Sequence, residues 1–291
     1  MKLLLTDSTS PLGAAILESL EREAHSLLQP STDELDWRDA SAVLDYLREQ
    51  RPDIVINTFS ADDSADAASW RLGVDVAGHL AQACKDTGTV PIHLSSYRVF
   101  DGASHSSFSE NDTPASLSDF GRAQVEAERH FQNALPHWIC LRFSWLIDAG
   151  AGNQLADLLA RLSAPGKVSV SAQRQGAPTP ITDAARVLVA VVQQVLSGAD
   201  NWGFYHYCAT PVCSEADFAR QVADILVQEG ELKGELLVQE ACAAAVEPAS
   251  AVLTCERLWE NFGVQSRSWR QGLNATVKFW LRENHTVREP S

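Results

Sequence analysis

The sequence predicts an α/β fold in which a doubly wound parallel sheet carries a smaller, mixed α/β lobe. Short apolar segments alternate with segments of helical period between residues 2 and 143, and this alternation is typical of parallel strands joined by helices. Residues 53–57, D-I-V-I-N, have the apolar character of a strand covered on both faces. The pattern changes after about Trp145. We therefore expect the sheet domain over residues 1–145 and the smaller lobe over residues 146–291, with some later segments returning to the sheet.

Local patterns predict the individual elements. Apolar residues at helical spacing predict a helix over residues 11–23, with Pro11 suited to its first turn. Asp39 is a candidate cap for a helix over residues 40–50. The other predicted helices are 65–87, 119–134, 154–162, 183–196 and 214–229, and the predicted strands are 2–6, 26–29, 53–57, 91–96, 137–143, 167–171 and 203–207. We expect about seven strands in the sheet, and residues 231–246 give the weakest pattern.

Composition excludes several classes of function. A formal net charge of -15 over 291 residues argues against nucleic acid or an anionic membrane as a partner. No apolar run is long enough to span a bilayer, and the N-terminal M-K-L-L-L-T-D turns polar too early for a signal peptide. We therefore expect a cytoplasmic protein, and the sequence leaves a protein partner or a homodimer open.

The cysteine pattern predicts neither disulfides nor a metal site. The six cysteines form no C-x-x-C pair, and most lie in apolar surroundings. We interpret them as reduced core thiols. They are Cys84, Cys140, Cys208, Cys213, Cys242 and Cys255.

The first turn of the sheet domain, T-D-S-T-S-P-L-G at residues 6–13, stands where a nucleotide-binding fold has three glycines. Asp7 and Ser10 occupy the first two glycine positions, and Gly13 occupies the third. A side chain at Ser10 would crowd a pyrophosphate, and the Asp7 carboxylate would repel it. The turn is therefore either a plain strand–helix connection or a cofactor site of weak or absent affinity.

Short motifs occur in a characteristic order along the chain. They are L-D-W-R-D at 35–39, R-P-D-I-V-I-N at 51–57, V-F-D-G at 99–102, L-R-F-S-W at 141–145, Q-R-Q-G-A-P-T at 173–179 and S-W-R-Q-G-L at 268–273. In these motifs the chain resembles the dTDP-4-dehydrorhamnose reductase family, a branch of the extended short-chain dehydrogenases/reductases that act on nucleotide sugars. The resemblance runs nearly end to end. It implies a Rossmann-like fold, NADP or NAD as cofactor, and a sugar nucleotide as substrate.

The resemblance also implies a catalytic set of Ser or Thr, Tyr and Lys, which this sequence matches only in part. Ser96 stands at the Ser/Thr position. The family's Y-G-R-S-K is F-G-R-A-Q at residues 120–124, so Phe120 stands at the Tyr position and Gln124 at the Lys position. Phenylalanine has no proton to give, and glutamine carries no charge. Tyr97 is an alternative proton donor, although it lies on the strand side of its motif.

Further site residues follow from the same resemblance. The candidate cofactor-binding residues are Ser10, Gly13, Asp36, Trp37 and Asn57; the candidate substrate-binding residues are Arg142, Trp145 and Arg174, with Trp269 as a crevice or interface candidate. Phe59 replaces a small residue of the family and either fills cofactor space or belongs to the core.

Two functions of different classes remain. The first is a non-catalytic member that binds a nucleotide, a sugar nucleotide or a protein, indicated by the paired replacement at Phe120 and Gln124. The alternative is an NAD(P)H-dependent reductase of a nucleotide-linked 4-keto sugar with an altered site, indicated by the otherwise preserved motifs and by Ser96.

Overall fold

The computed structural model describes residues 1–59, 67–103, 106–150, 152–240 and 248–286. Its helices are α1 (Pro11–Glu21), α2 (Ala40–Gln50), α3 (Ala67–Thr87), α4 (Asp119–Ala134), α5 (Gln154–Leu162), α6 (Ile181–Leu196), α7 (Glu215–Gln228), α8 (Glu256–Phe262) and α9 (Leu273–Thr286). Its strands are β1 (Lys2–Leu5), β2 (Ser26–Leu28), β3 (Ile54–Asn57), β4 (Val90–Ser96), β5 (Ile139–Phe143), β6 (Leu146–Ile147), β7 (Gly166–Ser171), β8 (Gln175–Gly176), β9 (Thr179–Pro180), β10 (Gly203–Tyr207), β11 (Cys213–Ser214) and β12 (Gly234–Gln239).

The main sheet is parallel throughout its described strands. Six strands pair in the order β10-β5-β4-β3-β1-β2. The expectation that residues 2–6, 53–57, 91–96 and 137–143 share one sheet is confirmed. The main sheet was expected to have about seven strands and has six. The difference is β7, a strand of the second half, which pairs with β12 in a separate sheet. The predicted doubly wound α/β class is confirmed.

Helix boundaries follow local capping closely. Asp39 caps α2 by accepting hydrogen bonds from the backbone N–H groups of Ser41 and Ala42. The predicted bounds of α2, α4 and α5 are those observed. Carboxylates and hydroxyls at these ends satisfy N–H groups that have no partner within the helix, which is why the sequence signal is strong there.

Second-half segments divide between the sheet and a separate lobe. β10 pairs with β5 at the sheet edge, and α6 packs on α1. The lobe is built around α5, α7 and the two-stranded sheets β12-β7 and β11-β8. The weakly patterned residues 231–246 contain β12, and residues 241–247 lie outside the described part of the chain. A domain boundary near residue 145 stays a prediction.

Cysteine placement agrees with the predicted thiols where it is described. Cys84, Cys140, Cys208 and Cys213 are buried and free, and Cys255 is free and partly exposed. Cys242 lies outside the described residues. None of the described helices is long and apolar enough to cross a membrane.

Candidate functional site

A crevice of about 830 Å³ opens at the carboxyl ends of the central strands. The turn after β1, the residues after β3, and the ends of β4 and β5 all border it, and α5 and α9 line its other side. The strand order reverses between β1 and β3. Ligands of open α/β sheets bind at such a reversal, so the crevice is the candidate functional site.

The first turn binds its own backbone amides. Asp7 Oδ1 accepts hydrogen bonds from the N–H groups of Thr9 (2.9 Å) and Ser10 (3.3 Å) and from the Thr9 hydroxyl (2.7 Å). Ser10 caps α1, because its Oγ accepts from the N–H of Gly13 at 3.2 Å. These donors lie at a helix N-terminus, where a nucleotide fold presents N–H groups to phosphate.

Gly13 is required by close packing between α1 and the turn. A Cβ at this position would lie 2.0 Å from the carbonyl oxygen of Asp7, far inside van der Waals contact. Gly13 is therefore required for the backbone to keep this path, because any side chain there would overlap it. The two glycine positions that would face a ligand carry Asp7 and Ser10, and both residues line the crevice.

One face of α4 runs from the crevice into the core. Phe120, Gln124 and Glu128 follow one another at intervals of four residues, and all are buried. Phe120 lines the crevice, with the guanidinium carbon of Arg98 5.9 Å from its ring centroid. Gln124 is 1% exposed and does not border the crevice. The helix therefore presents a phenyl ring where the resemblance implies a tyrosine hydroxyl.

Hydroxyl groups at the end of β4 complete this side of the crevice. Ser96 and Tyr97 line it, and Ser96 Oγ accepts a hydrogen bond from the N–H of Arg98 at 3.3 Å. The hydroxyl of Ser95 instead donates to Glu128 Oε1 at 2.7 Å. Of the two adjacent serines, Ser96 is the one whose hydroxyl is not committed to a buried carboxylate.

Arg142 lies in the core and does not border the crevice, contrary to the sequence expectation. Its guanidinium donates from Nε and Nη2 to the two carboxylate oxygens of Glu128, at 2.8 and 2.7 Å. The side chains are 1% and 2% exposed. The guanidinium carbon also lies 4.1 Å from the Phe204 ring centroid. Burial alone would lower the pKa of Arg142, but the charge of Glu128 raises it, so Arg142 keeps its charge as part of an internal ion pair.

Trp269 is also a core residue. It is fully buried, and its indole N–H donates to the carbonyl oxygen of Pro211 at 2.8 Å. The sequence could not show whether Arg142 and Trp269 lie in the core or at the crevice, because Arg and Trp in a strand or turn motif occur in both environments.

Trp145 and Arg174 do border the crevice. Gly176 permits the position of Trp145, since a Cβ there would lie 2.3 Å from the indole ring. Arg174 Nη2 donates to Glu215 Oε1 at 3.2 Å, and the two side chains are 20% and 14% exposed. Arg174 Nε is buried and has no hydrogen-bond partner among the described residues.

The remaining candidate cofactor residues are spread around the crevice without bordering it. Asp36 is exposed, and Trp37 is 4% exposed with its ring 5.6 Å from that of Phe59. Asn57 is fully buried; its Oδ1 accepts from the Thr6 hydroxyl and its Nδ2 donates to His93 Nδ1 at 3.1 Å. Phe59 lines the crevice and also packs on Trp37; that it fills cofactor space stays a prediction.

The sequence argument missed several crevice residues. Glu215 lay only within a predicted helix, and Arg98 was given no role. Trp280 and Asn284 reach the crevice from α9, more than a hundred residues after β5. No local pattern indicates such a contact, because it depends on how the lobe folds back over the sheet.

Comparison with known proteins agrees with this geometry. A family model described as the RmlD substrate binding domain matches residues 1–281. The chain belongs to the dTDP-4-dehydrorhamnose reductase family. The family expected from the motifs is thereby confirmed.

Similar members of the family cover nearly the whole chain. A dTDP-4-dehydrorhamnose reductase of Aggregatibacter actinomycetemcomitans is 27% identical over 284 residues, covering 94% of this chain and 97% of the relative. A probable dTDP-4,6-dihydroxy-2-methyloxan-3-one 4-ketoreductase of Streptomyces antibioticus is 27% identical over 295 residues, covering 98% and 97%.

Solved structures of the family share the fold. The dTDP-4-dehydrorhamnose reductase of Clostridium acetobutylicum superimposes with a TM-score of 0.83 at 23% identity, over 97% of this chain and all of that chain. The Bacillus anthracis protein, in complex with NADP, gives 0.81 at 22% identity, over 96% and 99%. At such identities the comparison supports the fold alone.

Proposed function

We propose that this family member binds a sugar nucleotide or nucleotide in the crevice without reducing it. The observation that carries the proposal is Phe120, a phenyl ring on the crevice face of α4 where the family resemblance implies the proton donor. Hydride delivery to a carbonyl produces an alkoxide that must be protonated, and a positioned acid contributes about 10²–10⁴-fold to such a step. Phe120 has no such proton.

Gln124 supports the same proposal. A lysine at this position would lower the pKa of a neighbouring tyrosine through its charge, and glutamine has none. The residue is 1% exposed, so a charged side chain there would need a partner to offset its burial. Phe120 and Gln124, which stand at the implied Tyr and Lys positions, are thus neutral groups that cannot exchange protons at neutral pH.

The first turn, as folded, does not fit the pyrophosphate of NADP or NAD. A pyrophosphate in this fold binds to N–H groups at the start of α1. Here Asp7 already accepts from the N–H groups of Thr9 and Ser10, and Ser10 accepts from that of Gly13. A dinucleotide would have to displace a carboxylate and approach its negative charge, so we expect its affinity to be weak or absent.

The opposite side of the crevice retains groups suited to an anionic ligand. Arg174 brings a guanidinium to the crevice, and its pairing with Glu215 holds that guanidinium in place. A planar guanidinium recognises phosphate and carboxylate well. Trp145 adds an aromatic surface beside it. These residues are the proposed ligand-binding set, whereas Arg142 is excluded from it by its burial with Glu128.

The binding proposal is tested by thermal shift and calorimetry with dTDP-sugars and with NADPH. A ligand that binds the native state raises the midpoint of unfolding by mass action. We expect a shift with a dTDP-sugar and none with NADPH. Arg174→Gln should abolish the dTDP-sugar shift, whereas the control Arg220→Gln, on an exposed part of α7, should leave it unchanged. Sub-micromolar binding of NADPH would overturn the proposal.

Turnover is tested on the unmutated protein with a dTDP-4-keto sugar and NADPH or NADH. We expect no reduction above background. Phe120→Tyr or Gln124→Lys alone should restore little, because such residues act as a unit. The double variant should turn over only if the cofactor still fits beside Ser10 and Phe59.

A reductase with an altered site is the second candidate, favoured by the hydroxyls of Ser96 and Tyr97 at the crevice. In that case the unmutated protein would reduce a 4-keto sugar, and Tyr97→Phe would lower kcat by about 10²-fold or more. Robust turnover that depends on Tyr97 would replace the non-catalytic proposal.

A further inference from the structure

Two cysteines from distant parts of the chain meet outside the crevice. Cys208 directly follows β10, and Cys255 directly precedes α8. Their Sγ atoms are 3.6 Å apart, although the residues are 47 positions apart in sequence. Cys208 is 6% exposed, whereas Cys255 is partly exposed. Of this pair, Cys255 is therefore the residue with the larger exposed fraction.

Hydrogen bonds give the two sulfurs different chemical characters. The N–H of Cys208 donates to Cys255 Sγ at 3.3 Å, and hydrogen bonding from Cys208 lowers the pKa of Cys255 although burial opposes it. The Cys208 thiol donates to the carbonyl oxygen of Leu253 at 3.3 Å, and its own pKa is raised by the Cys255 side chain and by burial. The Cys255 thiol also lies 3.7 Å from that carbonyl oxygen, so the N–H of Cys208 is the contact that favours a thiolate, the reactive form of cysteine, at Cys255.

The other described cysteines differ from this pair. Burial raises the pKa of Cys84, Cys140 and Cys213, and each of these thiols is buried. Buried thiols of raised pKa react slowly with oxidants. Among the cysteines that the structure describes, Cys255 is the partly exposed residue, and its sulfur has a second sulfur 3.6 Å away.

We propose that Cys255 is a peroxide-reactive thiol and that Cys208 resolves its oxidised form into a Cys208–Cys255 disulfide. The Cys255 thiolate attacks one oxygen of hydrogen peroxide, breaks the O–O bond and becomes a sulfenic acid, while the other oxygen leaves as water after taking a proton. The Cys208 sulfur then attacks the sulfenic sulfur, and the hydroxyl leaves as a second water with the proton of Cys208. The two thiols lose two electrons and the peroxide gains them.

The change of geometry required is small. The sulfurs must approach from 3.6 Å to about 2.05 Å, which side-chain rotation and slight backbone adjustment supply. The new bond would join the end of β10 to the start of α8. The bond would also restrain residues 251–255. In this segment the carbonyl oxygen of Ala251 accepts a hydrogen bond from the hydroxyl of Ser144, a crevice residue, at 2.8 Å.

The experiment treats the full-length reduced protein with equimolar hydrogen peroxide and maps its peptides by mass spectrometry. We expect loss of two hydrogen masses, loss of two titratable thiols of the six, and a cross-linked peptide pair containing Cys208 and Cys255. Dithiothreitol should reverse all three changes. The oxidised protein should also unfold at a higher temperature, since the cross-link restricts the unfolded chain.

Two variants assign the roles, and a third is the control. Cys208→Ser should stop the reaction at a Cys255 sulfenic acid that dimedone traps, whereas Cys255→Ser should give neither the adduct nor the disulfide. Cys213→Ser should behave like the unmutated protein. The proposal is overturned if Cys208 is the thiol that dimedone traps, if another cysteine pair links first, or if equimolar peroxide leaves all six thiols of the unmutated protein reduced. Because this last result comes from the unmutated protein, poor folding of a variant cannot obscure it.

Discussion

The N-termini of α1 and α4 are built alike and differ in what they present to the crevice. Each helix has a serine cap three residues before a glycine: Ser10 Oγ accepts from Gly13 N–H at 3.2 Å, and Ser118 Oγ accepts from Gly121 N–H at 3.0 Å. Each glycine lies against backbone, since an added Cβ would be 2.0 Å from the Asp7 carbonyl oxygen or 2.1 Å from that of Arg98. The supporting frame is thus the same at both ends.

The residues beside these two glycines differ in chemistry. At α1, Asp7 adds a carboxylate that binds the turn's own N–H groups. At α4, Phe120 supplies an apolar ring where the resemblance implies a hydroxyl. At both helix ends folding requires the glycine, whereas it leaves the residue type at the crevice free, because that residue has no backbone atom to fit against.

The largest expected effect tests whether α4 depends on its buried ion pair. Glu128→Ala would leave Arg142 charged and unpaired in the core, so we expect it to lower the free energy of unfolding by about 3–5 kcal/mol, measured by urea denaturation. On α1 the pair of Glu18 with Arg22 is exposed, with side chains 69% and 73% accessible. Glu18→Ala should change stability by less than about 0.5 kcal/mol. Equal losses of stability in the two variants would mean that burial does not determine how much an ion pair contributes.

The second test asks whether both glycines are required by packing. Gly13→Ala and Gly121→Ala should each lower the free energy of unfolding by about 1–3 kcal/mol, because the new Cβ would overlap backbone atoms. Gly78→Ala in α3 is the control, since its Cβ would lie 3.3 Å from the movable His130 ring. If either of the first two variants keeps full stability, close packing does not require a glycine at that position.

The third test separates ligand chemistry from the frame at α1. Asp7→Gly should free the N–H groups of Thr9 and Ser10 and tighten NADPH binding by about tenfold or more, as measured by calorimetry. Asp45→Ala, which removes a carboxylate whose side chain is 76% exposed, should not alter NADPH binding. If Asp7→Gly leaves the affinity unchanged, the carboxylate is not what excludes the dinucleotide, and the crowding by Ser10 and Phe59 becomes the explanation.

The smallest expected effect compares the caps. Ser10→Ala and Ser118→Ala should each cost about 1 kcal/mol, because each leaves a helix N–H without its acceptor. A thermal melt of both variants beside the double variant should show additive effects, since the two caps belong to different helices. A much larger loss at one position would show that its serine supports more than the helix end.

Much of the fold could be predicted because it rests on local patterns. The apolar strand 53–57 and the cap at Asp39 carry their own signals, and β3 and α2 occur where those signals place them. The motif order identified the family for the same reason, because each motif is a short local segment. The strand count was less accurate, since a strand's sequence does not say which sheet it joins, as β7 illustrates.

The sequence by itself determined the α/β class and the family, because these depend on residue identity and spacing. Tertiary structure decided which polar groups face the crevice. Arg142 on β5 lies in the core because it pairs there with Glu128 on α4. The physical reason is that a charged group's environment is set by distant elements that bury or solvate it. For the same reason only the folded chain brings Cys208 and Cys255 together.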